Sequence, residues 1–279
     1  MIALSLSLAA CLGWGVADFL GGLKSRHLPT LTVLAFSNIF GVALIGLIVY
    51  LRAIPLPRNP ALLWAIAGGL AGIIAMTLLY RGLAIGAMSV VAPISATGVI
   101  LPMLLGFANG DQLSRLQWLG SGLALIGAVL AAREPGQQQA GQRLAKGVSL
   151  AAGAALATGV FFLVMDQASE VDPYWAAFLM RLSYGVFLIP LLLLARPSLK
   201  VGHLHLPAFI FMGSVDALAG FAFALATTIG VLSLVAVVGS LYPAVTVLLS
   251  AVLLRERIHK VQGLGVIVAL VGVVFISAG

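Results

Sequence analysis

The sequence predicts an all-α membrane protein of about ten transmembrane helices, arranged as two inverted repeats of about five helices around a central cavity. Three observations predict it. The 279 residues are 62% hydrophobic and only 8% charged, with a mean hydropathy of +1.16, which excludes an ordinary water-soluble domain. The apolar residues gather into runs close to the ~20 residues that cross ~30 Å of hydrocarbon. Finally, the chain repeats itself: Ile85, Gly86, Ser89, Val91 and Ala92 recur as Ile229, Gly230, Ser233, Val235 and Ala236, all at the spacing that separates Ser89 from Ser233.

In order, the runs fall at 4–22, 30–51, 61–80, 86–108 and 115–132, then at 147–165, 174–195, 206–226, 230–254 and 260–278. The first run contains Leu8-Ala9-Ala10-Cys11, which resembles a lipoprotein cleavage box, but Met1 to Ala10 carries no charged side chain, so it reads as the first membrane helix. Breaks between runs carry Pro and charge, as from Lys24 to Pro29, Arg52 to Pro60 and Arg196 to Pro207. The doubling reaches the start of each half, where Ser7-Leu8-Ala9-Ala10 recurs as Ser149-Leu150-Ala151-Ala152. A period this long is a copied half rather than a solenoid unit of roughly 20–50 residues. It divides the chain into a first repeat over 1–132, a Gln- and Gly-rich linker over 133–146 and a second repeat over 147–279.

With an odd number of crossings per half, the second copy enters the bilayer from the opposite face, so the repeats are inverted. The connections that follow odd-numbered runs hold 11 of the 15 basic residues, and the even ones hold Arg52, Arg58 and Arg115. Odd connections and linker are therefore expected in the cytoplasm, with both termini outside. The net charge of +7 sits between apolar runs, which fits anionic lipid head groups and gives no reason to expect nucleic acid. One cysteine, Cys11, excludes an internal disulfide, and no ligand spacing suggests a metal or cofactor.

In so uncharged a chain, each ionisable group inside a run is a functional candidate. Asp216 lies mid-run and is read either as a group facing a wet cavity or as a neutral acid bonded to a neighbouring helix. Asp18 is read first as a solvated helix end, and second as a guard of a cavity mouth. Arg181 is read first as a side chain extending to the interface, and second as a clamp for a substrate carboxylate. Asn38 is read as a bond between helices. Pro93, Pro102 and Pro243 interrupt runs four and nine, loosening carbonyls near Ser89, Gly98 and Gly239 and marking these runs as gates. Ser95, Thr97, Ser240 and Tyr242 lie beside the breaks as candidate substrate contacts, while Trp14, Tyr80 and Tyr184 are candidates to stack on an apolar or aromatic part. The competing readings are back-bonding within a helix for the hydroxyls and an interfacial belt for the rings.

The tail of each repeat carries a further pattern: Gly110-Asp111-Gln112-Leu113 then Gln117-Trp118-Leu119-Gly120, and Arg255-Glu256-Arg257-Ile258 then Gln262-Gly263-Leu264-Gly265. This resembles the EamA-type ten-helix members of the drug/metabolite transporter superfamily. Gln112 stands where the first copy of the pattern has a basic residue, and Gly263 where the second has Trp. The resemblance implies ten helices around a cavity lined chiefly by helices one, three, four, six, eight and nine. It also implies a secondary transporter in a bacterial inner membrane that exports small metabolites. Bacterial members include amino acid exporters, some for aromatic amino acids, and the Trp and Tyr residues here suit that. Alternating access of the two halves, with protons as a possible driving ion, is the expected mechanism. A multidrug, nucleoside or phosphorylated-metabolite carrier of the same fold is the alternative, although a phosphate substrate would want more cations in the core than Arg181. An intramembrane enzyme is a remote one, for no His-Glu-x-x-His or Gly-x-Ser-x-Gly occurs and the four His residues lie in connections.

Overall fold

The computed structural model of the protein describes residues 1–25, 27–85, 94–95, 97–108, 110, 112–131, 141–253 and 260–278. The first repeat contributes α1 (Ile2–Ser25), α2 (Thr30–Leu51), α3 (Trp64–Ile85), α4 (Ile100–Ala108) and α5 (Arg115–Ala131). The second contributes α6 (Gly141–Ser169), α7 (Pro173–Ala195), α8 (Leu206–Ile229), α9 (Leu232–Gly239), α10 (Tyr242–Leu253) and α11 (Lys260–Ala278). The described residues contain no strand. Six described helices are long and apolar enough to cross a bilayer, and shorter apolar helices in the fourth, fifth, ninth and tenth places supply the rest.

Local chemistry sets several of the ends. Asp172 accepts a hydrogen bond from the Trp175 backbone N–H at 2.8 Å, and Pro173 follows it, so α7 begins on a capped first turn. The tail pattern has a structural meaning in the first copy: Ser114 Oγ accepts from Gln117 N at 3.1 Å while Gln117 Oε1 accepts from Ser114 N at 2.9 Å. This reciprocal box satisfies two otherwise orphaned donors at the start of α5.

Two boundaries differ from the sequence expectation. The stretch assigned to the linker is helical from Gly141 onward, so α6 starts before the apolar run does, while 133–140 lie outside the described residues. Run nine is two helices, α9 and α10, parted at Ser240 and Leu241. The cause is Pro243, which lacks the N–H that would bond Gly239 and is accommodated as the second residue of a new helix.

The copies are inverted in space. Helices α5 and α11, equivalent in the two repeats, pack against each other with Gly120 facing Gly272 and Gly127 facing Gly265 and Ala269. As one runs forward the other runs back. The same holds for α2 and α7, where Asn38 meets Arg181, Gly46 meets Phe178 and Arg52 meets Tyr174. Equivalent helices lying antiparallel across one axis require a twofold in the membrane plane, because an axis along the normal would leave them parallel. Off the axis, the packing of α1 on α8 is mirrored by α3 on α6, and that of α2 on α8 by α3 on α7. Outward faces carry exposed leucines such as Leu193 and Leu194, as lipid contact demands.

Candidate functional site

The off-axis helices do not close completely at the centre. A cavity of ≈ 1260 Å³, counting its open mouth, is walled by α1, α2, α3, α6, α7 and α8, with Tyr242 of α10 at its side. Helices two and seven take part, contrary to the family expectation, and α4 contributes no lining residue among those described. Towards one end of the bundle the cavity reaches Ser25 and Thr30, at the α1–α2 connection. It stops short of the other end, where Trp175 Nε1 donates to the Ile54 carbonyl at 3.2 Å and Arg52 lies 5.9 Å from the centre of the Tyr174 ring.

Charge enters from three helices. Arg181 Nη1 of α7 donates to Asp216 Oδ2 of α8 at 2.5 Å, and the two side chains are 18% and 30% exposed, opening onto the cavity. Close packing of α2 on α8 beside this pair depends on Gly41, where a Cβ would stand 3.0 Å from the Gly213 carbonyl oxygen and 3.2 Å from Ala217 Cβ. Asn38 of α2 donates from Nδ2 to the Arg181 carbonyl at 3.3 Å, tying α2 to α7 as expected of a bond between helices. Asp18 of α1 lines the same cavity within electrostatic reach of Asp216. It has no ion-pair or hydrogen-bond partner among the described residues. Among the described residues the walls thus carry two carboxylates against one cation.

Beside the charge, and one turn from Asp18 along the first helix, Trp14 opens an aromatic wall. The Trp14 ring centre lies 5.4 Å from Phe223, 6.0 Å from Phe162, and 6.4 Å from both Phe161 and Tyr242. Phe161, Phe162 and Tyr242 line the cavity with it. Edge and tilted ring contacts of this kind hold the rings in place without filling the space between the walls.

The candidates named from sequence therefore divide. Trp14, Asp18, Arg181, Tyr184, Asp216 and Tyr242 converge on the cavity. Ser95, Thr97 and Ser240 are not among its lining residues. Thr97 Oγ1 donates to the Ile94 carbonyl at 2.6 Å and Ser240 Oγ to the Val237 carbonyl at 2.8 Å, so these hydroxyls serve their own turns. Pro102 sits in α4 just after a 3-10 turn at Thr97–Val99. Pro93, and the side chains of Tyr80 and Pro243, lie outside the described residues. Phe161, Phe162 and Thr158 were not singled out, though the repeat contained the signal. At the spacing of Ser89 to Ser233 they match Ala17, Asp18 and Trp14, and likewise Arg181 matches Ser37 and Asp216 matches Gly72. All of these positions line the cavity.

Comparison with known proteins agrees with this architecture. The sequence pattern of the EamA-like transporter family matches residues 1–133 and again 145–278. The chain belongs to the EamA-like transporter family, within the drug/metabolite transporter superfamily. A crystal structure titled only as that of a protein shares the fold, with a TM-score of 0.82 over 98% of this chain and 95% of the other at 19% identity. No curated protein matches in sequence. This EamA-like chain is thus a multi-pass membrane transporter whose central cavity straddles its pseudo-twofold axis, with its charges supplied asymmetrically from α1, α7 and α8.

Proposed function

We infer that the protein is a secondary exporter of small metabolites bearing an amino group, amino acids with apolar or aromatic side chains foremost, working by alternating access of its two inverted repeats. The observation that carries this reading is a cavity that brings Asp18 and the Arg181–Asp216 pair together with the rings of Trp14, Phe161, Phe162 and Tyr242. An ammonium group has a carboxylate to meet at Asp18. A carboxylate has the Arg181 fork, whose outer edge stays available while Nη1 holds Asp216. The apolar remainder has aromatic surface. The excess of one carboxylate also favours a second reading, lipophilic monocations, which need no anion site and gain from the ring faces.

Proton coupling fits Asp18 better than Asp216. Asp216 is committed to Arg181, whereas Asp18 has no such cation among the described residues and offers one carboxylate for which a proton and a substrate ammonium compete. If the Lys/Arg bias sets the orientation, the mouth at Ser25 and Thr30 opens to the cytoplasm of a bacterial cell, and the Trp175–Ile54 and Arg52–Tyr174 contacts form the outer closure. The lipid bilayer and a small-molecule substrate are the partners this reading requires, and no metal, cofactor or catalytic chemistry enters it.

The deciding experiment is counterflow in proteoliposomes with labelled phenylalanine, leucine, alanine, a nucleoside and a lipophilic cation. Saturable exchange of the first two, with little of the nucleoside, is expected. Exchange of the cation alone would select the second reading, and no exchange of any would remove both.

A further inference from the structure

A second concavity lies on the flank of the bundle between α2, α3 and α7. It shares Thr30 and Leu34 with the central cavity, so it runs from the membrane face to the cavity mouth. Its polar end is made by Thr30, Thr77 and Arg81, and its sides by Leu31, Leu34, Leu191 and Leu194. Arg81 is exposed and has no acidic partner among the described residues. The Thr77 hydroxyl is buried and unbonded, though a helical threonine ordinarily returns its hydroxyl to a carbonyl one turn back. Leu194 is 82% exposed, as a lipid-facing side chain is.

We propose that this groove binds an anionic phospholipid, its phosphate on Arg81 and the Thr30 hydroxyl, and an acyl chain along the leucines of α2 and α7. The chemistry at each end selects that occupant. An exposed guanidinium with no acidic partner among the described residues, beside the Thr30 hydroxyl, suits a phosphodiester of net negative charge, and the adjoining wall is apolar over a length no small anion fills. Arg81 also sits at the same end of the bundle as Ser25 and Thr30, the end that carries most of the basic residues, where anionic head groups concentrate. Because Thr30 and Leu34 belong to both spaces, an occupying chain forms part of the cavity mouth. Anionic lipid then acts on transport from the side of the entrance, without entering the substrate site.

The inference stands apart from the substrate reading, and its test is a binding measurement. The full chain, purified with phosphatidylglycerol and phosphatidylcholine in equal amounts, is examined by native mass spectrometry. Wild type is expected to retain phosphatidylglycerol over phosphatidylcholine by about fivefold, the scale of one cation at a membrane surface. Arg81→Gln should lose that preference and Arg81→Lys keep most of it. Leu191→Trp, which fills the groove but spares the charge, should lose the lipid altogether while remaining monodisperse. Equal retention of the two lipids, or an undiminished preference in both Arg81→Gln and Leu191→Trp, would overturn the proposal. Release of the lipid by millimolar inorganic phosphate would overturn it too, by showing a site for the free anion.

Discussion

Arg181 and Asp216, thirty-five positions apart on neighbouring helices, meet through a single hydrogen-bonded ion pair at 2.5 Å on the wall of the central cavity. The pair joins α7, a helix of the axis, to α8, a helix of the wall, so it bears on the geometry of the seam as well as on its charge.

Breaking this pair from either side leaves a half-buried charge unpaired. Arg181→Gln and Asp216→Asn should each lower the melting temperature in detergent by several degrees, corresponding to about 1–3 kcal/mol. The double variant should cost less than the two singles added, since the remaining charge is gone as well. Additive losses would mean that the residues do not stabilise each other.

Asp18 governs coupling if its carboxylate takes either a proton or a substrate ammonium. Asp18→Asn should abolish export driven by a pH gradient while retaining downhill counterflow. The sign of the pH effect follows: acidification on the substrate side should raise the apparent KM of wild type, because protons occupy the carboxylate, and leave the variant flat. Gradient-driven flux unchanged in Asp18→Asn would end this assignment.

The seam between α5 and α11 is set by backbone contact. A Cβ at Gly120 would stand 2.7 Å from the Gly272 carbonyl oxygen and the Ile276 nitrogen, whereas one at Gly122 meets nothing within 4 Å. Gly120→Ala should therefore lower thermal stability and yield, while Gly122→Ala should be neutral or raise stability by about 0.5 kcal/mol, from reduced unfolded-state entropy. Equal tolerance of the two would contradict the packing of the repeats.

Orientation can be read with cysteines placed at the two ends in a Cys11→Ser background, since native Cys11 is 2% exposed. His27→Cys should react with an impermeant maleimide only from the cytoplasmic side and Ala53→Cys only from outside. The reverse pattern would invert the Lys/Arg assignment and turn the cavity mouth outward.

The aromatic wall was only half visible before the structure. Trp14 stood out as a large ring in the first run, but Phe161 and Phe162 looked like ordinary apolar residues of a sixth helix. Only the packing of α6 across the cavity brings those phenylalanines within about one ring diameter of Trp14. Conversely, Ser95, Thr97 and Ser240 drew attention by lying next to helix breaks. Proximity in sequence to a break says nothing of where a hydroxyl points, and those of Thr97 and Ser240 bond their own turns.

By itself the sequence determined the solvent of this protein, its duplication and the inversion of its halves. Those are sums over many residues: hydropathy accumulates along a run, repetition along a half, and the parity of crossings fixes the sense of the second copy. It also named Asp18, Arg181 and Asp216 as the costly groups inside the spans. Only the tertiary structure decided that Arg181 holds Asp216 and leaves Asp18 to the cavity. Such a pairing depends on the depth and rotation of three helices relative to one another. A one-residue shift turns a side chain by about 100° around its helix, which is enough to exchange a cavity for lipid.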